Sequence, residues 1–166
     1  MDNLPIDRDA ALHAWTAYKL AHPDLAIDTE TPPFEYFGDN PELTEELVSL
    51  VRSGVKRATA ALAAEFIAEG QPLPRIGSHW VACDSQGRPA FILRTTELRI
   101  GTVASADERF AFDEGEDDRT LESWRAAHRQ YWARQCRRLR IDWDEDALPV
   151  VFERFEVAWA AESDPA

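Results

Sequence analysis

A change of hydrophobic period midway along the chain constrains the fold more than any other feature. Gly77-Ser-His-Trp-Val-Ala-Cys-Asp84 alternates, the turn Ser85-Gln-Gly-Arg88 closes it, and Pro89 to Val103 is rich in Phe, Ile, Leu, Thr and Val. Successive side chains of a strand point to opposite faces, so this pattern predicts a β-hairpin whose second strand is long. A second alternating run, Val150-Val-Phe-Glu-Arg-Phe-Glu-Val-Ala-Trp159, predicts a half-buried strand near the end of the chain. Elsewhere the period is helical. Asp9 to Ala21 places Leu12, Ala14, Trp15 and Tyr18 on overlapping faces and stops at His22-Pro23; Asn40 to Val51 places Leu43, Leu47, Leu50 and Val51 on one side, with Gly54 as a C-terminal stop. Between them lies an aromatic, proline-rich loop, Thr31 to Gly38. A further helix is expected from Thr59, read as its cap, to about Ala68. An acidic helical piece follows from Ala104 to Phe112, then a long helix from Leu121 to Leu139 with Thr120 at its capping end. Strands and helices do not alternate regularly, which favours an α+β domain with a small mixed or antiparallel barrel flanked by helices over a doubly wound sheet. Residues 1–36 read as an N-terminal helical extension and loop, and 37–166 as the domain proper.

Charge and composition narrow the class. The longest apolar runs, such as Ala58 to Ala64, fall far short of the roughly 20 residues a bilayer crossing needs, so no membrane partner is expected. The N-terminus, Met-Asp-Asn-Leu-Pro, lacks the regions of a signal peptide, and a cytoplasmic location is the expectation. Cys83 and Cys136 have no CxxC or CxxH spacing and read as reduced, semi-buried packing residues. A net charge of −13 repels long polyanions unless basic residues gather in one cleft. Acidic residues crowd Asp28 to Glu46, Glu108 to Asp118 and Asp142 to Asp146, whereas Arg129, Arg134, Arg137, Arg138 and Arg140 form a basic helix end that also complements the helix dipole.

Three features can carry chemistry. Positive charge is supplied by sixteen arginines and only two lysines, and one lysine sits in Gly54-Val-Lys56-Arg-Ala-Thr59. A desolvated amine can lose its proton and act as a base where a guanidinium cannot, and such a base can activate a nearby threonine hydroxyl; the alternative is a solvated lysine after a helix. Second, Glu114-Gly-Glu116-Asp117-Asp118 concentrates four carboxylates. Crowding can raise the pKa of one of them for general-acid work, the group can hold a hard metal, or it can be a solvated loop ahead of a helix N-terminus. Third, His79, Trp80, Arg94, Thr95, Thr96, Trp124 and His128 are candidates to line a pocket for a planar base, or else core residues.

Phe37-Gly-Asp, Leu47-Val-Ser-Leu-Val-Arg-Ser-Gly-Val-Lys-Arg-Ala-Thr59, Leu73-Pro-Arg-Ile-Gly77, Thr95-Thr-Glu-Leu and the run from Phe110 through Glu-Gly-Glu-Asp-Asp-Arg-Thr120 to His128 occur in order. Together they resemble the ASCH domain family over about Phe37 to Trp159. The resemblance implies a PUA-like β-barrel and a link to RNA, as a binding module or as a hydrolase. Small bacterial members remove the acyl group of N4-acetylcytidine with a lysine, threonine and glutamate; others resemble metal-assisted ribonucleases of single-stranded RNA. Carried over, the triad falls on Lys56, Thr59 and Glu114, as base, acyl-accepting nucleophile and acid. Arg57, Trp80, Arg94, Thr120 and Trp124 become candidates to hold the substrate. This chain departs from the family in its N-terminal extension, which the small amidohydrolases lack, and in Glu-Asp-Asp-Arg-Thr where longer relatives often show Glu-Gly-Asp-Arg-Ser. The leading expectation is amide hydrolysis of an acylated cytidine or related base without a cofactor. The alternatives are a ribonuclease using manganese or magnesium, and a non-catalytic RNA reader. The N-terminal helix is a candidate either to cover a barrel edge or to mediate a homodimer.

Overall fold

The computed structural model describes residues 2–26 and 31–162. The start of the acidic segment at Asp28 and the last residues of the 37–166 region lie outside them. Five strands, β1 (Phe34–Tyr36), β2 (Ala58–Leu62), β3 (His79–Cys83), β4 (Pro89–Gly101) and β5 (Val150–Ala160), have the hydrogen-bonded order β1-β3-β4-β5-β2, and five α-helices accompany them among the described residues. The β1–β3 pair is parallel, whereas β3–β4 and β2–β5 are antiparallel. The α+β class with a mixed sheet and flanking helices is therefore the observed architecture, and no described helix is long and apolar enough to cross a membrane.

The chain divides into two units, and the long strands β4 (Pro89–Gly101) and β5 (Val150–Ala160) contribute residues to both. The first comprises residues 1–54, 75–96 and 155–166. Here α1 (Arg8–Ala21) starts where the Asp7 side chain accepts from the Ala10 N–H, and it buries Ala11, Trp15 and Tyr18 against Phe34, Val81 and Ile92. Phe34–Tyr36 forms β1 against Val81–Cys83 of β3 (His79–Cys83), a strand within what the sequence reads as an aromatic loop. Three residues are too few for alternation to announce a strand, and parallel pairing with β3 is what makes them one. Asn40 caps α2 (Pro41–Arg52), which packs Leu47, Val48 and Val51 beside Phe91 and Leu93 of β4.

The second unit, residues 55–74 and 97–154, holds every residue of the Lys56 site. Ala58–Leu62 is strand β2, paired with Val150–Arg154 of β5, and the helix expected here, α3 (Ala63–Ala68), starts only after it. This corrects the expectation that Thr59 caps a helix. Alanines favour a helix locally, but ladder pairing with the apolar β5 overrides that weak preference. Ala58, Ala60 and Leu62 lie on one face of β2 and join the core of Phe110, Trp124, Trp132 and Phe152; by alternation Thr59 lies on the other. Asp107 caps α4 (Glu108–Glu114), and Thr120 caps α5 (Leu121–Leu139) through the Ser123 N–H. Cys83 and Cys136 are both free and fully buried rather than semi-buried.

Candidate functional site

Two close backbone approaches set the site. The Arg57 N–H donates to the Asp113 carbonyl over 2.7 Å, which ties the segment before β2 to the end of α4. Helix α4 then stops on Gly115, at φ 76°, in the left-handed conformation that favours glycine. A Cβ here would lie 2.6 Å from the Val55 carbonyl oxygen, so no other residue lets the loop pass so near. The reversal at Gly115 brings the carboxylates on either side of it to one ammonium. Lys56 Nζ lies 3.5 Å from Glu114 Oε1 and 2.7 Å from Glu116 Oε1.

The two carboxylates are held differently. Glu114 is 1 % exposed and fully engaged: Oε1 also accepts the Ala60 N–H at 3.2 Å, while Oε2 accepts the Trp124 indole N–H and faces His128 Nε2 at 3.4 Å. Glu116 is 23 % exposed, on a loop that continues through the positive-φ residues Asp117 and Arg119. His128 is oriented by α5 itself. Its Nδ1 lies 2.8 Å from the Trp124 carbonyl, which can only accept, so Nδ1 carries a proton and Nε2 is the atom offered to Glu114. The ring stacks on Trp124 at 4.1 Å.

The electrostatics follow from this pairing. Burial alone would lower the Lys56 pKa, but Glu116 and Glu114 outweigh it and hold the group above its ordinary value, as an ammonium. Burial also opposes a charge on Glu114, yet His128 and Lys56 draw its pKa down to about 2. His128 is raised by Glu114 and then Glu116 against the cost of burial. Two expectations are thereby corrected for this state: Lys56 is not a depressed amine, and Glu114 is not a carboxylic acid. Crowding of carboxylates does not raise the Glu114 pKa because two cations separate and neutralise them.

Asp118 and Asp113, on either side of the pair, serve the local fold. Asp118 Oδ1 accepts from the Thr120 backbone and hydroxyl, and Thr120 in turn caps α5. Asp113 binds Arg57 at 2.7 Å and Arg154 at 3.1 Å, forming an ion-paired rim on the same unit. No group of three His, Cys, Asp or Glu side chains fit for a metal exists among the described residues. The Lys56 ammonium also occupies the two carboxylates a divalent cation would need, so the residues do not suit one.

Of the sequence candidates, Lys56, Glu114, Trp124 and His128 come into one cluster, and Arg57 stands at its rim. Trp124 binds Glu114 through its N–H and is covered by His128, with Phe152 stacked 6.1 Å away, so it positions the carboxylate. Thr59 is half-buried on β2, and among the described residues no hydrogen bond joins its hydroxyl to Lys56 or Glu114. Trp80 and Arg94 belong to the other unit, where Trp80 packs on Phe37 and Phe155 and Arg94 pairs with Glu156 at 3.0 Å. Glu116, the nearest partner of Lys56, was not singled out from its acidic neighbours; its spacing across a glycine from Glu114 is the signal that marks it.

A mixed-sheet α+β fold carrying a buried lysine between two glutamates defines a small domain with a polar, lysine-centred site. Residues 33–158 match the family model described as the ASCH domain, and the chain belongs to that family. An ASCH domain from Lactobacillus crispatus JV V101 is similar at 26 % identity and a TM-score of 0.79, covering 90 % of this chain and 94 % of that one. A protein from Enterococcus faecalis V583 is similar at 28 % identity and the same TM-score, covering 90 % of this chain and 88 % of its own. No curated protein matches the sequence.

Proposed function

We propose that this protein is an ASCH-type hydrolase that cleaves the amide of an acylated cytidine or a related small acylated base. The observation that carries the reading is Lys56, 1 % exposed and held between two carboxylates beside a paired histidine. Burying ionised groups costs several kcal/mol each, and a replacement by apolar residues is often no less stable, so such a cluster points to chemistry more than to stability. A neutral nucleoside also suits a chain of net charge −13 better than a polyanion does.

In the proposed reaction Lys56 first gives up its proton to water. The free amine takes the Thr59 hydroxyl proton as that oxygen bonds to the acyl carbon. When the amide C–N bond breaks, the Lys56 ammonium returns the proton to the departing amine, while His128 and Lys56 favour the charged form of Glu114. Water then cleaves the acyl-threonine, its proton passing through Lys56 to the threonine oxygen. Glu114, braced by Trp124 and His128, fixes Lys56 and stabilises its charged form. Arg57 borders the site and is a candidate for holding the substrate.

Ultraviolet absorbance of N4-acetylcytidine incubated with the protein in EDTA tests this. Conversion to cytidine is expected, with loss in both Lys56→Arg and Thr59→Ala; a guanidinium keeps charge but cannot act as base. Undiminished turnover by either variant, or none by the wild type, overturns the reading.

A further inference from the structure

We propose that Glu116 is a removable counter-ion that decides whether Lys56 is an ammonium or an amine. The inference deepens the hydrolase reading and rests on it for its chemical purpose, but its physical core is independent. A base needs a free amine, and the structure holds Lys56 in an ion pair. The proton can leave only if an anion leaves first.

Geometry singles out which anion. Glu114 is fixed by the Ala60 N–H, the Trp124 N–H and His128, is 1 % exposed, and lies 3.5 Å from the amine. Glu116 lies closer, at 2.7 Å, is 23 % exposed, and follows Gly115 on a loop outside any helix or strand. Glu114 from the end of α4 and Glu116 from the loop face Lys56, with His128 of α5 beyond Glu114 and the buried Glu153 of β5 paired in the ladder opposite Thr59. Of these only Glu116 can swing into water without breaking a core contact. Burial is the largest single influence on Lys56 and favours the neutral form, and Glu116 is the largest of the charges that oppose it. A substrate acyl group seated against Lys56 would displace Glu116 and so release the base only when there is something to cleave. Glu116 is on this view a positioning residue, acting through Lys56.

The chain contains only two lysines, Lys19 and Lys56, so lysine labelled with carbon-13 gives two side-chain signals and Lys19 is an internal reference. The titration midpoint of Lys56 is compared in wild type, Glu116→Gln and Glu116→Asp. The expected result is a midpoint lower by about one pH unit or more in Glu116→Gln, with restoration toward wild type in Glu116→Asp and no change at Lys19. In parallel, the acid limb of the pH–rate profile with N4-acetylcytidine should move to lower pH in Glu116→Gln. An unchanged Lys56 midpoint, or a moved midpoint with an unmoved acid limb, overturns the proposal. Absence of turnover in every form sinks the hydrolase reading instead, while the Lys56 midpoint still decides the role of Glu116. If Glu116→Gln fails to fold, the midpoint in Glu116→Asp decides: the shorter side chain leaves a wider gap to the amine, so the midpoint should lie measurably below wild type though above that of a neutral residue, and an unmoved value overturns the proposal.

Discussion

Gly115→Ala separates backbone conformation from steric approach, because Gly70 provides its control. Both glycines adopt left-handed φ values, 76° and 66°, in the same unit. A Cβ on Gly70 meets nothing within 4 Å, so Gly70→Ala should cost only the left-handed penalty, about 1 kcal/mol. A Cβ on Gly115 meets the Val55 carbonyl oxygen at 2.6 Å and its carbon at 2.9 Å. These are backbone atoms, so the strand entrance or the loop must shift, adding about 1–3 kcal/mol of overpacking. Gly115→Ala should therefore lose about 2–4 kcal/mol in urea unfolding followed by tryptophan fluorescence, with an unchanged slope. The displacement would fall on the turn that aims Glu114 and Glu116 at Lys56, so the Lys56 signal should shift in the folded variant as well. If the two variants lie within about 0.5 kcal/mol of one another, the close approach is not what holds the loop, and the account of the site's assembly fails.

Two further outcomes follow from buried groups. Trp124→Phe removes the N–H that Glu114 Oε2 accepts, whereas the Trp132 N–H has no partner among the described residues. Trp124→Phe should thus lose about 1 kcal/mol or more beyond Trp132→Phe in parallel unfolding measurements, and equal losses would deny the bond its importance. Burial raises the Glu65 pKa from 4.5 to about 7. The folded state then binds that proton more tightly than the unfolded chain, so Glu65 favours folding at acid pH, and this advantage fades as pH rises from about 4.5 to about 7. The stability of wild type relative to Glu65→Gln should decline across that window by an amount on the order of 1–3 kcal/mol, and a flat difference would refute the shift.

The long helices and strands were legible because each repeats its period over enough residues to be distinctive. Leu121–Leu139 with its Thr120 cap, the β3–β4 hairpin and the strand from Val150 all formed where periodicity placed them. The short elements were not. Phe34–Tyr36 and Ala58–Leu62 become strands only by pairing with segments distant in sequence, and Thr59 changes from helix cap to strand residue with them. The site divides in the same way.

Residue chemistry in the sequence marked Lys56 and the acidic run Glu114 to Asp118, since a rare amine and four carboxylates within five positions are local facts. Which groups are charged was decided only by tertiary structure. Lys56 and Glu116 are 60 positions apart, and Trp124 and His128 reach Glu114 from a different helix. Ionisation depends on what lies within a few ångströms after burial, and that distance is a property of the folded chain, not of spacing along it.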